Sequence, residues 1–132
     1  MIVYFASSLD VSRLDSGAWR LLRELRATTF DEGAADSRSW CVPEGFETDF
    51  ASVPRLPFVF LVMGDTAQRA AVLHDFMYSG GVDNAGRGVT RAEADAIFRA
   101  AMEKDGLGWM RRGMMWAGVR LFGGSHYAGG AS

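Results

Sequence analysis

Cysteine is almost missing from this sequence. Cys41 stands alone among 132 residues, so no internal disulfide can staple the chain and no cysteine-based zinc cluster can form. A lone cysteine fits a reducing compartment. Histidine is nearly as scarce, with only His74 and His126. Charge of one sign is lacking too: the formal net charge of −2 gives no electrostatic basis for nucleic-acid binding. No apolar run approaches the roughly 20 residues that a membrane-spanning helix needs. The opening MIVYFASSLD has a short apolar stretch and no basic lead-in. That is too short for the apolar region of a signal peptide and reads as a first strand. Neither a membrane span nor a signal peptide is therefore expected.

What is present is the balance of an ordinary globular protein, with 48% hydrophobic and 23% charged residues. The length predicts one core and one domain, over residues 1–123. The Gly- and Ser-rich end GGSHYAGGAS predicts a flexible tail over 124–132.

The first third reads as β structure. The segment AWRLLRELRATTF (18–30) mixes helix and strand signals. The turn-rich DEGAADS (31–37) and the run RSWCV (38–42) after it favour a strand that returns beside its neighbour. VPEGFETDFASVPRLPF (42–58) holds all three prolines and no helical period, which predicts a long irregular segment, and such segments usually serve a function or are tightly pinned. GDTAQRAAVLHDFMY (64–78) reads as a helix with Asp65 or Thr66 at its start. VTRAEADAIFRAAMEKDG (89–106) reads as a second, with Thr90 and Glu93 at capping-box spacing and Gly106 as its stop. LGWMRRGMMWAGVRLFGG (107–124) reads as a third. Strands first and helices after predict an α+β fold: a small N-terminal β hairpin or sheet, an irregular loop and three helices.

One short stretch of this pattern carries chemistry. In AAVLHDFMYSG (70–80) a histidine and an aspartate stand side by side within an apolar helical run. On the next helix Asp95 shares a stripe with Phe98 and Met102, at i, i+3 and i+7. A carboxylate on such a stripe is expected to be partly buried and to need a partner. His74 is one candidate, and Arg91 or Arg55 in a structural ion pair is another. If the two helices pack antiparallel, Asp95 reaches His74. An aspartate that accepts from one ring nitrogen fixes the tautomer and leaves the other nitrogen as a base. Asp75, about 100° round the helix, lines the same cleft from another angle and suits a metal. Tyr78, one turn on, can join the network. A hydrogen-bonded core histidine is the competing reading, and the residues alone leave both open.

VPEGFETDFASVPR, AAVLHDFMY and RAEADAIFRAAM followed by GVRLFG resemble a family encoded by bacteriophages and prophages, domain of unknown function 1353, over about residues 40–123. That resemblance implies a phage or prophage origin and no activity. HDFMY with the later Asp95 is also similar to the two active-site helices of secreted phospholipase A2 enzymes, above all their short bacterial branch. This second resemblance implies that His74 deprotonates a water, Asp75 binds calcium and Asp95 orients the histidine, with Tyr78 matching the aromatic of the motif. Those enzymes have disulfides and a glycine-rich calcium loop. This chain has one cysteine, and EGFETDFASVPR stands where that loop would be, with Asp49 as its candidate ligand.

Other readings are weaker. Ser52 lacks the GxSxG setting of a nucleophile, and Asp49 and Arg55 can equally hydrogen-bond the irregular backbone. Metal-dependent phosphohydrolases with an HD dipeptide need a histidine upstream, and none precedes His74. The last helix joins Trp109, Met110, Met114, Met115, Trp116 and Phe122 to Arg111, Arg112 and Arg120. That composition suits a core helix, a membrane-surface helix or a partner surface. Two functions are expected from these residues together with the two resemblances. One is a phage-associated, calcium-dependent hydrolase of lipid or cell-envelope esters; the other is a non-enzymatic virion component of a tail or connector, whose partners are other virion proteins.

Overall fold

The computed structural model of the chain describes residues 1–31, 36–48 and 65–103. Their elements are β1 (Ile2–Phe5), β2 (Val11–Arg13), β3 (Trp19–Leu21), β4 (Leu25–Phe30), β5 (Ser37–Val42), β6 (Glu47–Thr48), α1 (Asp65–Tyr78) and α2 (Arg91–Glu103). The strands form two antiparallel three-stranded sheets, ordered β1-β4-β5 and β2-β3-β6.

The first sheet follows from alternation. In β4, Leu25, Ala27 and Thr29 face inward, while Arg26 and Phe30 face out, the period of two that a strand imposes. Trp40 and Val42 of β5 and Val3 of β1 join the same inner face. In the second sheet, β2 and β3 are joined by a tight turn in which the Gly17 amide donates to the Leu14 carbonyl at 2.9 Å. Gly17 has φ of +89°, a left-handed conformation that glycine adopts without a Cβ penalty. A similar turn at Pro43–Phe46, with Gly45 at φ +88°, returns the chain so that β6 pairs with β3.

α1 is buried along most of residues 70–78 because it lies against β5, β6 and α2. α2 is amphipathic: Ala94, Ile97, Phe98 and Ala101 are buried, at the i, i+3, i+4, i+7 spacing of one helical face. Its start is capped as the sequence predicts. The Glu93 amide donates to the Thr90 hydroxyl at 3.1 Å, and the hydroxyl donates to the Glu93 carboxylate at 3.2 Å. Contacts between the helices run in opposite order, with Tyr78 at the Arg91 end and His74 against Phe98, so the pair is antiparallel.

The connection between the helices is pinned to β5. Asp83, buried at the centre of that loop, accepts the amides of Ala85 and Arg87 at 3.0 and 2.9 Å and the Arg38 Nε–H at 2.8 Å. Arg38 also donates to the Gly88 carbonyl and to Glu93, and its guanidinium lies 4.7 Å from the centre of the Trp40 ring.

This architecture corrects the sequence expectation. The N-terminal part is not one hairpin or small sheet but six strands in two sheets, and two helices are found among the described residues. Strands of two or three residues are too short to show alternation: residues 22–24 divide the segment 18–30, read as one strand, into β3 and β4, and β6 falls within 42–58, read as irregular. The expected third helix at 107–124, the tail at 124–132 and most of the proline-bearing segment lie outside the described residues.

Candidate functional site

Helical spacing places His74 and Tyr78 one turn apart on the face of α1 that meets α2. The antiparallel packing brings Asp95 between them. The Nε2 of His74 lies 2.7 Å from Oδ1 of Asp95, and the Tyr78 hydroxyl donates to the same oxygen at 2.6 Å. Both side chains of the His–Asp pair are without exposed surface, and Tyr78 is buried too. The rings of His74 and Tyr78 lie 4.1 Å apart between centres, and Phe98 packs edge-on against the imidazole at 5.1 Å. The Arg91 Nε–H donates to the Tyr78 oxygen at 3.4 Å, so Arg91 meets the network through the tyrosine.

The electrostatics follow from burial. Loss of water pushes the His74 pKa below its ordinary value, and this outweighs the hydrogen bond and charge of Asp95 and the charge of Asp75, which favour the imidazolium. Burial raises the Tyr78 pKa well above the usual phenol range, and donation to Asp95 raises it further; Arg91 opposes both. Burial thus favours a neutral imidazole and a neutral phenol beside Asp95. With Asp95 as the acceptor at the 2.7 Å contact, Nε2 carries the ring proton and Nδ1 the lone pair.

Asp75 points elsewhere. Its Oδ2 accepts the Thr48 hydroxyl of β6 at 2.5 Å, with both residues buried. Among the described residues there is no group of three or more His, Cys, Asp or Glu side chains placed to hold a metal ion. Calcium takes six to eight oxygens, and Asp75 brings one carboxylate with one oxygen already engaged. Of the two expected calcium ligands, Asp75 and Asp49, Asp75 is the one that lies among the described residues. Asp49, Ser52 and Arg55 lie outside the described residues.

The structure therefore brings His74, Tyr78 and Asp95 together and sets Asp75 apart from them. Thr48 is the residue that sequence reading missed. It lies 27 positions from Asp75 in a stretch with no periodicity, and only the pairing of β6 with β3 delivers it there.

A family model described as a protein of unknown function (DUF1353) matches residues 19–119. No curated protein and no solved structure matches the chain. Among the described residues no helix is long and apolar enough to cross a membrane.

Proposed function

Because the chain belongs to the family of proteins of unknown function DUF1353, a description that carries no activity, its role rests on its own residues, and we propose that it is a hydrolase using His74 as a general base. The observation behind this reading is the single Asp95 oxygen that lies 2.7 Å from His74 Nε2 and accepts the Tyr78 hydroxyl. An imidazole held this way keeps one tautomer, and its lone pair on Nδ1 can accept a proton from water.

In the reaction, the water oxygen forms a bond to the carbonyl carbon of an ester while Nδ1 takes its proton. The imidazolium is stabilised by Asp95, which remains ionised. Collapse of the adduct breaks the bond to the leaving oxygen, which takes the proton back from His74. The products are a carboxylic acid and an alcohol. Burial keeps the imidazole neutral, so the base form is present at neutral pH. The substrate class follows the phospholipase-like motif: a lipid or another ester of the cell envelope, in a phage or prophage setting.

The test is hydrolysis of chromogenic esters and phospholipid vesicles by the purified chain. Wild type is expected to turn over at least one of them, and His74→Gln to lose about 10²–10⁴-fold in rate. Equal rates for both proteins would sink the reading.

A second reading draws on the complete burial of His74 and Asp95. In it the triad is an internal polar lock of a virion tail or connector protein. That reading expects stoichiometric copies in purified particles by mass spectrometry, and it fails if the chain is absent from them.

A further inference from the structure

Two consecutive residues of α1 face two different parts of the fold. His74 meets α2, while Asp75, about 100° round the helix, meets β6 through Thr48. The next residue repeats the second contact, since Phe76 packs edge-on against Phe46, the residue before β6, at 5.6 Å between ring centres. Gly81 leaves room for that ring, because a Cβ there would come within 2.5 Å of it. Residues 75 and 76 thus dock α1 on the second sheet, and residues 74 and 78 dock it on α2. Helical geometry links the two, since a helix held at 75 and 76 has its rotation set at 74 and 78.

We infer that Asp75 is a positioning residue, a tie from α1 to β6 through the Thr48 hydroxyl that sets the rotation of His74 toward Asp95. This inference rests on the reading of His74 as a base for its functional consequence. Its physical content stands on the contact itself. The tie satisfies a buried carboxylate oxygen with a buried hydroxyl at 2.5 Å. Among the described residues no group of three or more His, Cys, Asp or Glu side chains is placed to hold a cation.

The experiment uses the full chain and two kinds of readout. Calorimetric titration with calcium chloride at millimolar concentration is expected to give no saturable heat. Thr48→Val and Asp75→Ala are each expected to lower the melting temperature by several degrees, with the double variant no lower than the worse single one. Thr48→Ser, which keeps the hydroxyl, restores the midpoint. On an ester that wild type cleaves, Thr48→Val lowers kcat with KM held, Thr48→Ser returns it, and EDTA changes neither. Saturable calcium binding that Asp75→Asn abolishes would overturn the inference, as would additive effects of the two single substitutions. Heat and melting temperature decide this question whether or not an ester is cleaved, and the His74 variants decide the other.

Discussion

His74 and Tyr78, four residues apart on one helix, meet at a single oxygen of Asp95. Two donors on one carboxylate oxygen make Asp95 the keystone of the helix pair as well as of the site. Removing it takes an acceptor from two buried groups at once, whereas removing either donor leaves the carboxylate the other.

Asp95→Ala is therefore expected to destabilise the chain by about 3 kcal/mol, more than Tyr78→Phe at about 1 kcal/mol. Urea denaturation of the three proteins checks the order. A smaller loss for Asp95→Ala than for Tyr78→Phe would show that the shared oxygen is not the centre of the network.

The depressed pKa of His74 gives a pH dependence of known sign. In the unfolded chain the imidazole takes a proton below about 6.5, while in the folded chain burial delays that uptake to lower pH. The unfolded state then binds more protons, so stability is full above the unfolded value and falls as pH drops below it. Denaturation midpoints at pH 7.5 and 5.5 are expected to differ in that direction, and the difference is expected to shrink in His74→Gln.

Arg38 and Asp83 govern the acid side. Burial works against ionisation of Asp83, but the Arg38 guanidinium and the amides of Arg87 and Ala85 outweigh it and hold the carboxyl below its usual value. This contribution is present above the ordinary carboxylate range and is lost as pH falls through the folded pKa. At neutral pH, Arg38→Met leaves Asp83 buried beside fewer donors and is expected to cost about 3 kcal/mol. Arg38→Lys recovers part of that, because an ammonium cannot reproduce the fork. Thermal unfolding of both variants checks the ranking.

Cys41 offers a chemical readout. Its thiol donates to Glu24 at 3.1 Å, and burial, then the Glu24 hydrogen bond and charge, push its pKa up. Alkylation by iodoacetamide at pH 8 is expected to be slow in wild type and faster in Glu24→Gln, since the thiolate is the nucleophile. An unchanged rate would show that Glu24 does not hold the thiol.

The site was more legible in the sequence than the fold. His74, Tyr78 and Asp95 could be read because helical spacing is a local rule, and because a carboxylate among apolar residues on α2 must find a partner nearby. Asp95 met His74 rather than Arg91, which reaches Tyr78 instead. The capping of α2 by Thr90 was legible for the same local reason. The strand pairing was not. β2, β3 and β6 have three, three and two residues, too few to show a period. The Arg38–Asp83 clamp spans 45 positions and obeys no spacing at all. Thr48 was invisible because its partner is chosen by a turn at Gly45 and a two-residue strand.

The two sheets share the chain by alternation: β1 belongs to the first, β2 and β3 to the second, β4 and β5 to the first, and β6 to the second. β2–β3 and β4–β5 are neighbours in sequence and can close early at small entropic cost. β1 reaches its place only through β4, and β6 only through β3. α1 docks on both β5 and β6, so the helix that carries His74 rests on one strand from each sheet. A substitution that loosens either sheet therefore reaches the His74–Asp95 contact through the seat of α1.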